Sequence, residues 1–185
     1  MLSSMLRPVY RFMIRGFGKR YDYDTGYMIL LLDETPSLMN ALNGLSKLSS
    51  YQKNAPLEAH VAARLTGVRA EDCGPRLQLT IDMARERGMS GPLTEAILSG
   101  DVDSMCTDSA LGFRFASAIL TRSGDEEAAR DAVRDAYGEA AVIELTLASQ
   151  ISRVFPMLKR GLGFDKTCKR TSVGTSQIDG VRGTT

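Results

Sequence analysis

The chain has 185 residues, 43% of them apolar and 24% charged, with a formal net charge of +1. That length predicts one well-cored domain and that composition a soluble globular protein, with no reason to expect a second domain. Uninterrupted apolar runs such as Met28-Ile29-Leu30-Leu31-Leu32 fall far short of the ~20 residues that span a bilayer. Three cysteines do not make a secreted disulfide scaffold, and an odd number leaves one unpaired within a monomer. Arginines interrupt the apolar residues at the N-terminus, so no secretory leader is expected and the expected setting is a reducing cytoplasm.

Caps and breakers predict helices throughout. Pro8 stands at a first helical position before Val9, Phe12, Met13 and Phe17, an apolar face flanked by Arg11 and Arg15. Asp24 caps a short apolar helix ending near Leu32, and Thr35-Pro36 opens the next, carrying Leu38, Met39, Leu42 and Leu45. Asn54-Ala55-Pro56 restarts a helix with Leu57, Val61, Leu65 and Val68. Asp72 or Cys73 opens another, with Leu77, Ile81 and Ala84 on one side and Gly88 as its stop, expected among the central helices. Gly91-Pro92 to Leu98 reads as a short helix closed by Ser99-Gly100. Asp108 caps a longer one ending at Ser123-Gly124. Asp125 caps Glu126 to Tyr137, whose first-turn acids suit the helix dipole. After Gly138 an apolar helix runs from Ala140 to about Phe155, where Pro156 should break or kink it.

No alternating strand pattern with hairpin chemistry is present, so the fold class is all-α, a bundle of seven to nine helices. The division is a basic helical segment over 1–21, a helical domain over 22–168, and a flexible polar tail over 169–185.

The charge is unevenly spread. Residues 1–20 carry five basic side chains and no acid, 21–158 carry an excess of acids, and 159–185 are basic again. Basic ends on an acidic body suit packing on that body, within a subunit or between subunits. No aromatic-interleaved basic patch points to nucleic acid. Peripheral membrane contact of the N-terminal helix would need Phe12 and Phe17 exposed; burial of both against the bundle is the favoured alternative.

The stretch Asp72-Cys73-Gly74-Pro75-Arg76 reads like the start of a Cys-x-x-Cys redox helix whose second cysteine is arginine. A helix N-terminus and the guanidinium of Arg76 both favour a thiolate at Cys73, while Glu71 and Asp72 oppose it. Cys73 is thus a candidate functional thiol, the alternative being a sulfur merely packed at a helix start. Cys168, among Lys166, Lys169 and Arg170, is a candidate resolving sulfur if the C-terminal segment folds back to within the ~7 Å limit. Cys106 lies in a polar linker and reads as incidental. His60 is the chain's one histidine; it is a candidate proton relay, with a packed side chain the favoured alternative. No His, Cys and carboxylate spacing suggests a metal, and no cofactor is expected.

Three segments in order resemble the carboxymuconolactone decarboxylase and alkylhydroperoxidase D-like superfamily. They are Glu71 to Leu77 with Met83-Ala84 and Gly88, then Ser99-Gly100-Asp101 with Ala110 to Ala116, then Tyr137-Gly138-Glu139 through Leu158 to Gly163. The resemblance covers about residues 22–168 and implies an all-α bundle that forms homo-oligomers. In active members a glutamate twelve residues before the first cysteine, two cysteines and a following histidine reduce hydroperoxides with a thiol reductant. One thiolate attacks the O–O bond and the other resolves the sulfenic acid. Here Val61 stands at the glutamate, Cys73 at the first cysteine, Arg76 at the second, attacking cysteine, and Thr80 at the histidine.

Two functions follow. One is a thiol-dependent peroxidase or oxidoreductase with a degenerate site built on Cys73, Arg76, Cys168 and His60. The other is a catalytically silent helical oligomer with a binding or scaffolding role.

Overall fold

The computed structural model describes residues 7–164 and the backbone of 171–173 and 176–178. The helices in chain order are α1 (Arg7–Arg20), α2 (Gly26–Glu34), α3 (Pro36–Ser49), α4 (Leu57–Arg69), α5 (Gly74–Glu86), α6 (Gly91–Ser99), α7 (Thr107–Thr121), α8 (Glu126–Tyr137) and α9 (Glu139–Gly161), with a 3₁₀ turn at Val102–Ser104. The domain is all-α.

Most boundaries follow the caps. Pro36 begins α3 behind Thr35. Ser90 caps α6 by accepting from the Leu93 N–H, and Gly100 closes that helix in the left-handed region. Two boundaries differ from expectation. Thr25 rather than Asp24 is the cap of α2, although the Asp24 carboxylate accepts from the Gly26 N–H at 2.8 Å. Cys106 rather than Asp108 precedes α7. Pro156 does not end α9, which continues to Gly161. Neighbouring helices hold a proline turn when it is buried, and Pro156 is buried.

The helix at the centre is α4, with α5 packed against it. Every side chain from Ala59 to Val68 is buried, whereas α5 buries only one face, with Arg76, Leu79, Thr80, Ile81 and Ala84. Helices α7 and α9 both pack against α4, and α5 and α6 also contact it. Around α4 lie Ala59, Ala63, Phe115, Ala116 and Leu145 on the α7–α9 side, and Val61, Leu65, Ile81, Ala84 and Ile97 on the α5–α6 side. A third cluster, with Ile14, Tyr23, Tyr27, Leu32, Met39 and Leu79, joins α1–α3 to α5. Each large apolar side chain so buried contributes about 1.5–3 kcal/mol.

Small residues let α4 be crowded. A Cβ on Gly112 of α7 would lie 2.1 Å from the Ala59 carbonyl oxygen, and one on Gly67 would lie 2.2 Å from that of Ser149 on α9. Polar ties fix the chain between α3 and α5. The buried Glu144 carboxylate on α9 accepts from the N–H groups of Lys53 and Asn54 at 3.0 Å and of Ala55 at 3.1 Å. Glu71, in the α4–α5 turn, pairs with Arg153 at 2.6 Å, and its carbonyl accepts from Arg160 at 2.7 Å.

At the N-terminus the outcome is divided. Phe17 is half-buried in the third cluster, while Phe12 is 80% exposed. Near the C-terminus, in the stretch expected as a flexible polar tail, Thr171–Val173 (β1) pairs antiparallel with Ser176–Ile178 (β2), and β1 lies beside α5 and α6. Backbone pairing needs no particular side chains, so composition gives little sign of it. Helix α9 is long and apolar enough to cross a membrane, with 56% of its most apolar window buried inside the protein.

Candidate functional site

The turn between α4 and α5 sets the site. Asp72 takes a positive φ of 47°, a conformation that aspartate tolerates better than most residues. Cys73 follows as the N-cap of α5, with φ −111° and ψ 88°, and Gly74 and Pro75 make its first helical positions. Arg76, at the third, is carried inward and is 7% exposed. Its guanidinium carbon stands 4.4 Å over the Phe155 ring. That contact attracts the cation but accepts no hydrogen bond in the ring plane.

Arg76 and Arg64 share a cavity of about 310 Å³. Arg64 comes from α4 and is 6% exposed. The remaining walls are apolar for the most part: Ile14 and Phe17 from α1, Met28 from α2, Met39 from α3 and Met83 from α5. Ser49, whose buried hydroxyl has no hydrogen-bond partner, adds a polar point beside them. Methionine walls adapt to an irregular apolar occupant.

The two arginines are uncompensated. The Nε atoms of both are buried without a hydrogen-bond partner, and among the described residues neither guanidinium forms an ion pair. Burial, then the charges of Arg76 and Arg87, push Arg64 down to about 10, so it remains a cation at neutral pH. The buried Lys159 makes the contrast. Its ammonium lies 4.7 Å from the Tyr23 ring centre and 5.7 Å from that of Tyr27, with the Asp24 carboxylate at 3.9 Å. A buried charge without a partner costs several kcal/mol, which a bound anion would offset.

Other candidate residues fall into place as follows. Val61 and Thr80 meet at a second, small cavity of about 10 Å³ with Arg64, Ala84 and Arg87, room for about one water. The Thr80 hydroxyl donates to the Arg76 carbonyl at 2.9 Å within its own helix. His60 is 0% exposed, and neither ring nitrogen has a hydrogen-bond partner. Burial, then the cations Arg64 and Arg87, lower its pKa to about 4, so it is neutral at pH 7. It lines neither cavity.

Cys73 is a half-buried free thiol outside the cavity lining, and Cys106 is an exposed one 3.3 Å from the Ser109 hydroxyl. Cys168 lies outside the described residues. No group of three or more His, Cys, Asp and Glu among the described residues could hold a metal ion.

Of the candidate site residues that are described, Cys73, Arg76 and His60, Arg76 alone lines the larger cavity. Arg64 was not read from the sequence at all, and Phe155 and the methionines were read only as helical apolar residues. A signal for Arg64 existed, since it falls three residues after Val61 and four before Val68 and so lies on an apolar helical face. Compared with family models, curated proteins and solved structures, the chain matches none.

Proposed function

We propose that this protein is a thiol-degenerate relative of the alkylhydroperoxidase D-like superfamily, a cytoplasmic homo-oligomer whose former redox helix now serves ligand binding. The observation that carries the reading is the fate of the attacking-sulfur position. Arg76, which stands there, is turned inward and lines an apolar cavity with Arg64, and no acid among the described residues pairs with it. Two further points support it. The positions of the family's glutamate and histidine, Val61 and Thr80, face one another across α4 and α5 but hold no relay chemistry. His60, neutral and enclosed, has no route to a substrate.

One observation favours a second reading, a single-cysteine oxidoreductase. Cys73 is partly exposed as the N-cap of α5, where the positive end of the helix suits an anionic sulfur. Hydroperoxide consumption with a dithiol reductant separates the two. Wild type and Cys73→Ser should be equally inactive. Arg76→Cys should gain turnover by bridging Cys73 to the introduced sulfur, since residues three apart at a helix start share a face. Turnover by wild type that Cys73→Ser abolishes would favour the oxidoreductase.

Assembly is supported by apolar side chains left outside: Val9, Phe12 and Met13 on α1, and Ile143 and Met157 on α9. Light scattering should give a multiple of the 20.2 kDa chain mass at micromolar concentration. A monomer throughout that range would remove the oligomer from the proposal.

A further inference from the structure

We propose that the larger cavity binds a single-chain amphiphile with a compact anionic head, a carboxylate or a phosphate monoester. Arg64 and Arg76 would hold the head, and the methionine and aromatic walls the tail. The inference deepens the binding role proposed above and rests on that reading.

Three features converge on this chemistry. Both arginines are more than nine-tenths buried, both have bare Nε atoms, and no described carboxylate pairs with either. The guanidinium fork matches the planar oxygens of a carboxylate or the oxygens of a phosphate, which an ammonium or a neutral hydroxyl cannot replace. Ser49, with its unpartnered hydroxyl on the same wall, supplies a further polar group for such a head.

The second feature is the lining, where Met28, Met39, Met83, Ile14 and Phe17 offer nothing to a sugar or a peptide backbone but suit a flexible hydrocarbon. The third is size. At the ~30 Å³ that one water occupies in the liquid, the 310 Å³ cavity holds roughly ten water-sized groups, the bulk of an acyl chain of about ten carbons. The exposed lining residues, Met13, Ser46 and Ser50, place the mouth between α1 and α3, where a slender chain enters without moving the core helices.

Calorimetric titration of the full chain provides the test, with decanoate, decyl phosphate, 1-decanol and decyltrimethylammonium as probes below their micelle concentrations. At least one anion should bind one per chain and about tenfold or more tighter than decanol, the worth of a charge-assisted hydrogen bond. The cation should not bind. Whichever anion binds tighter identifies the head group.

Arg64→Met and Arg76→Met should each weaken the anion by about tenfold or more and leave decanol within about twofold. Both variants should melt at or above the wild-type temperature without ligand, because an unpaired buried charge is removed, so lost affinity will not reflect misfolding. Anions that bind no tighter than decanol, or that bind the double variant as well as wild type, would overturn the proposal. Peroxide turnover through Cys73 with Arg-dependent anion binding would defeat only the silent reading. Inactivity toward peroxide without such binding would defeat only the ligand assignment.

Discussion

Gly112→Ala should destabilise the fold by about 1–3 kcal/mol, and Gly67→Ala by a similar amount, because each added methyl meets backbone that cannot rotate away. At Gly112 the new carbon would lie 2.1 Å from the Ala59 carbonyl oxygen and 2.7 Å from its carbonyl carbon and Cα. The α4–α7 seam would have to open, loosening Ala59, Ala63, Phe115 and Ala116 together. At Gly67 the contacts are 2.2 Å to the Ser149 carbonyl oxygen and 2.5 Å to the Ser152 hydroxyl, on the α9 side of the same helix.

Gly44 in α3 is the control. Nothing lies within 4 Å of its added carbon, so Gly44→Ala should gain about 0.5–1 kcal/mol from helix propensity alone. In a thermal melt the first two variants should fall by several degrees and the third rise slightly, at roughly 2–4 °C per kcal/mol. A Gly112→Ala protein that melts with wild type would contradict the close approach of α4 and α7.

Acid should destabilise the protein in two stages. His60, with its pKa lowered to about 4 by burial and then by Arg64 and Arg87, binds fewer protons folded than unfolded below the ordinary ~6.5. Unfolding therefore becomes easier as pH falls from about 6.5 to about 4, by on the order of 3 kcal/mol in all.

Glu144 acts lower. Burial pushes its pKa up, but the N–H groups of Lys53, Ala55 and Asn54 and the Asn54 amide outweigh that, and the net shift is downward. Its contribution is complete above the unfolded value of ~4.3 and is lost as pH falls through the folded one.

Urea midpoints measured against pH in the wild type, His60→Leu and Glu144→Gln would resolve the stages. His60→Leu should flatten the stretch from about 6.5 to 4 and cost little at pH 7, since it removes two unpaired nitrogens from the interior. Glu144→Gln should cost about 1.5–3 kcal/mol at pH 7, as the charge-assisted bonds to the 53–55 backbone weaken. A wild-type midpoint that stays level between pH 6.5 and 4 would contradict an enclosed, neutral His60.

Helix positions were legible because their signals are local. Pro36 and Pro92 sit in first turns, the Ser90 hydroxyl accepts the Leu93 N–H at a cap, and Gly100 supplies a left-handed exit, each within a few residues of the boundary it sets. Pro156 is harder to read, and α9 runs past it to Gly161. Its effect depends on whether distant helices hold the turn together, and the buried surroundings of α9 do so. The central place of α4 was not legible for another reason. Periodicity detects a helix with one apolar face, but α4 is buried all round and carries alanines, glycine, His60 and Arg64 where a periodic stripe would alternate.

The candidate site was only half visible. The sequence by itself determined an all-α domain, the helix starting at Cys73, and an arginine three residues after that cysteine. The direction in which Arg76 points depended on the left-handed turn at Asp72 and on Phe155, which is 79 residues away in the chain. Only the tertiary structure decided that Arg64 joins it, that no carboxylate among the described residues answers either charge, and that methionines from several helices line the space before them. Caps and apolar spacing are written within a turn or two of the backbone. The burial and pairing of a charge are set by every segment that packs around it, so they exist only once the chain has folded.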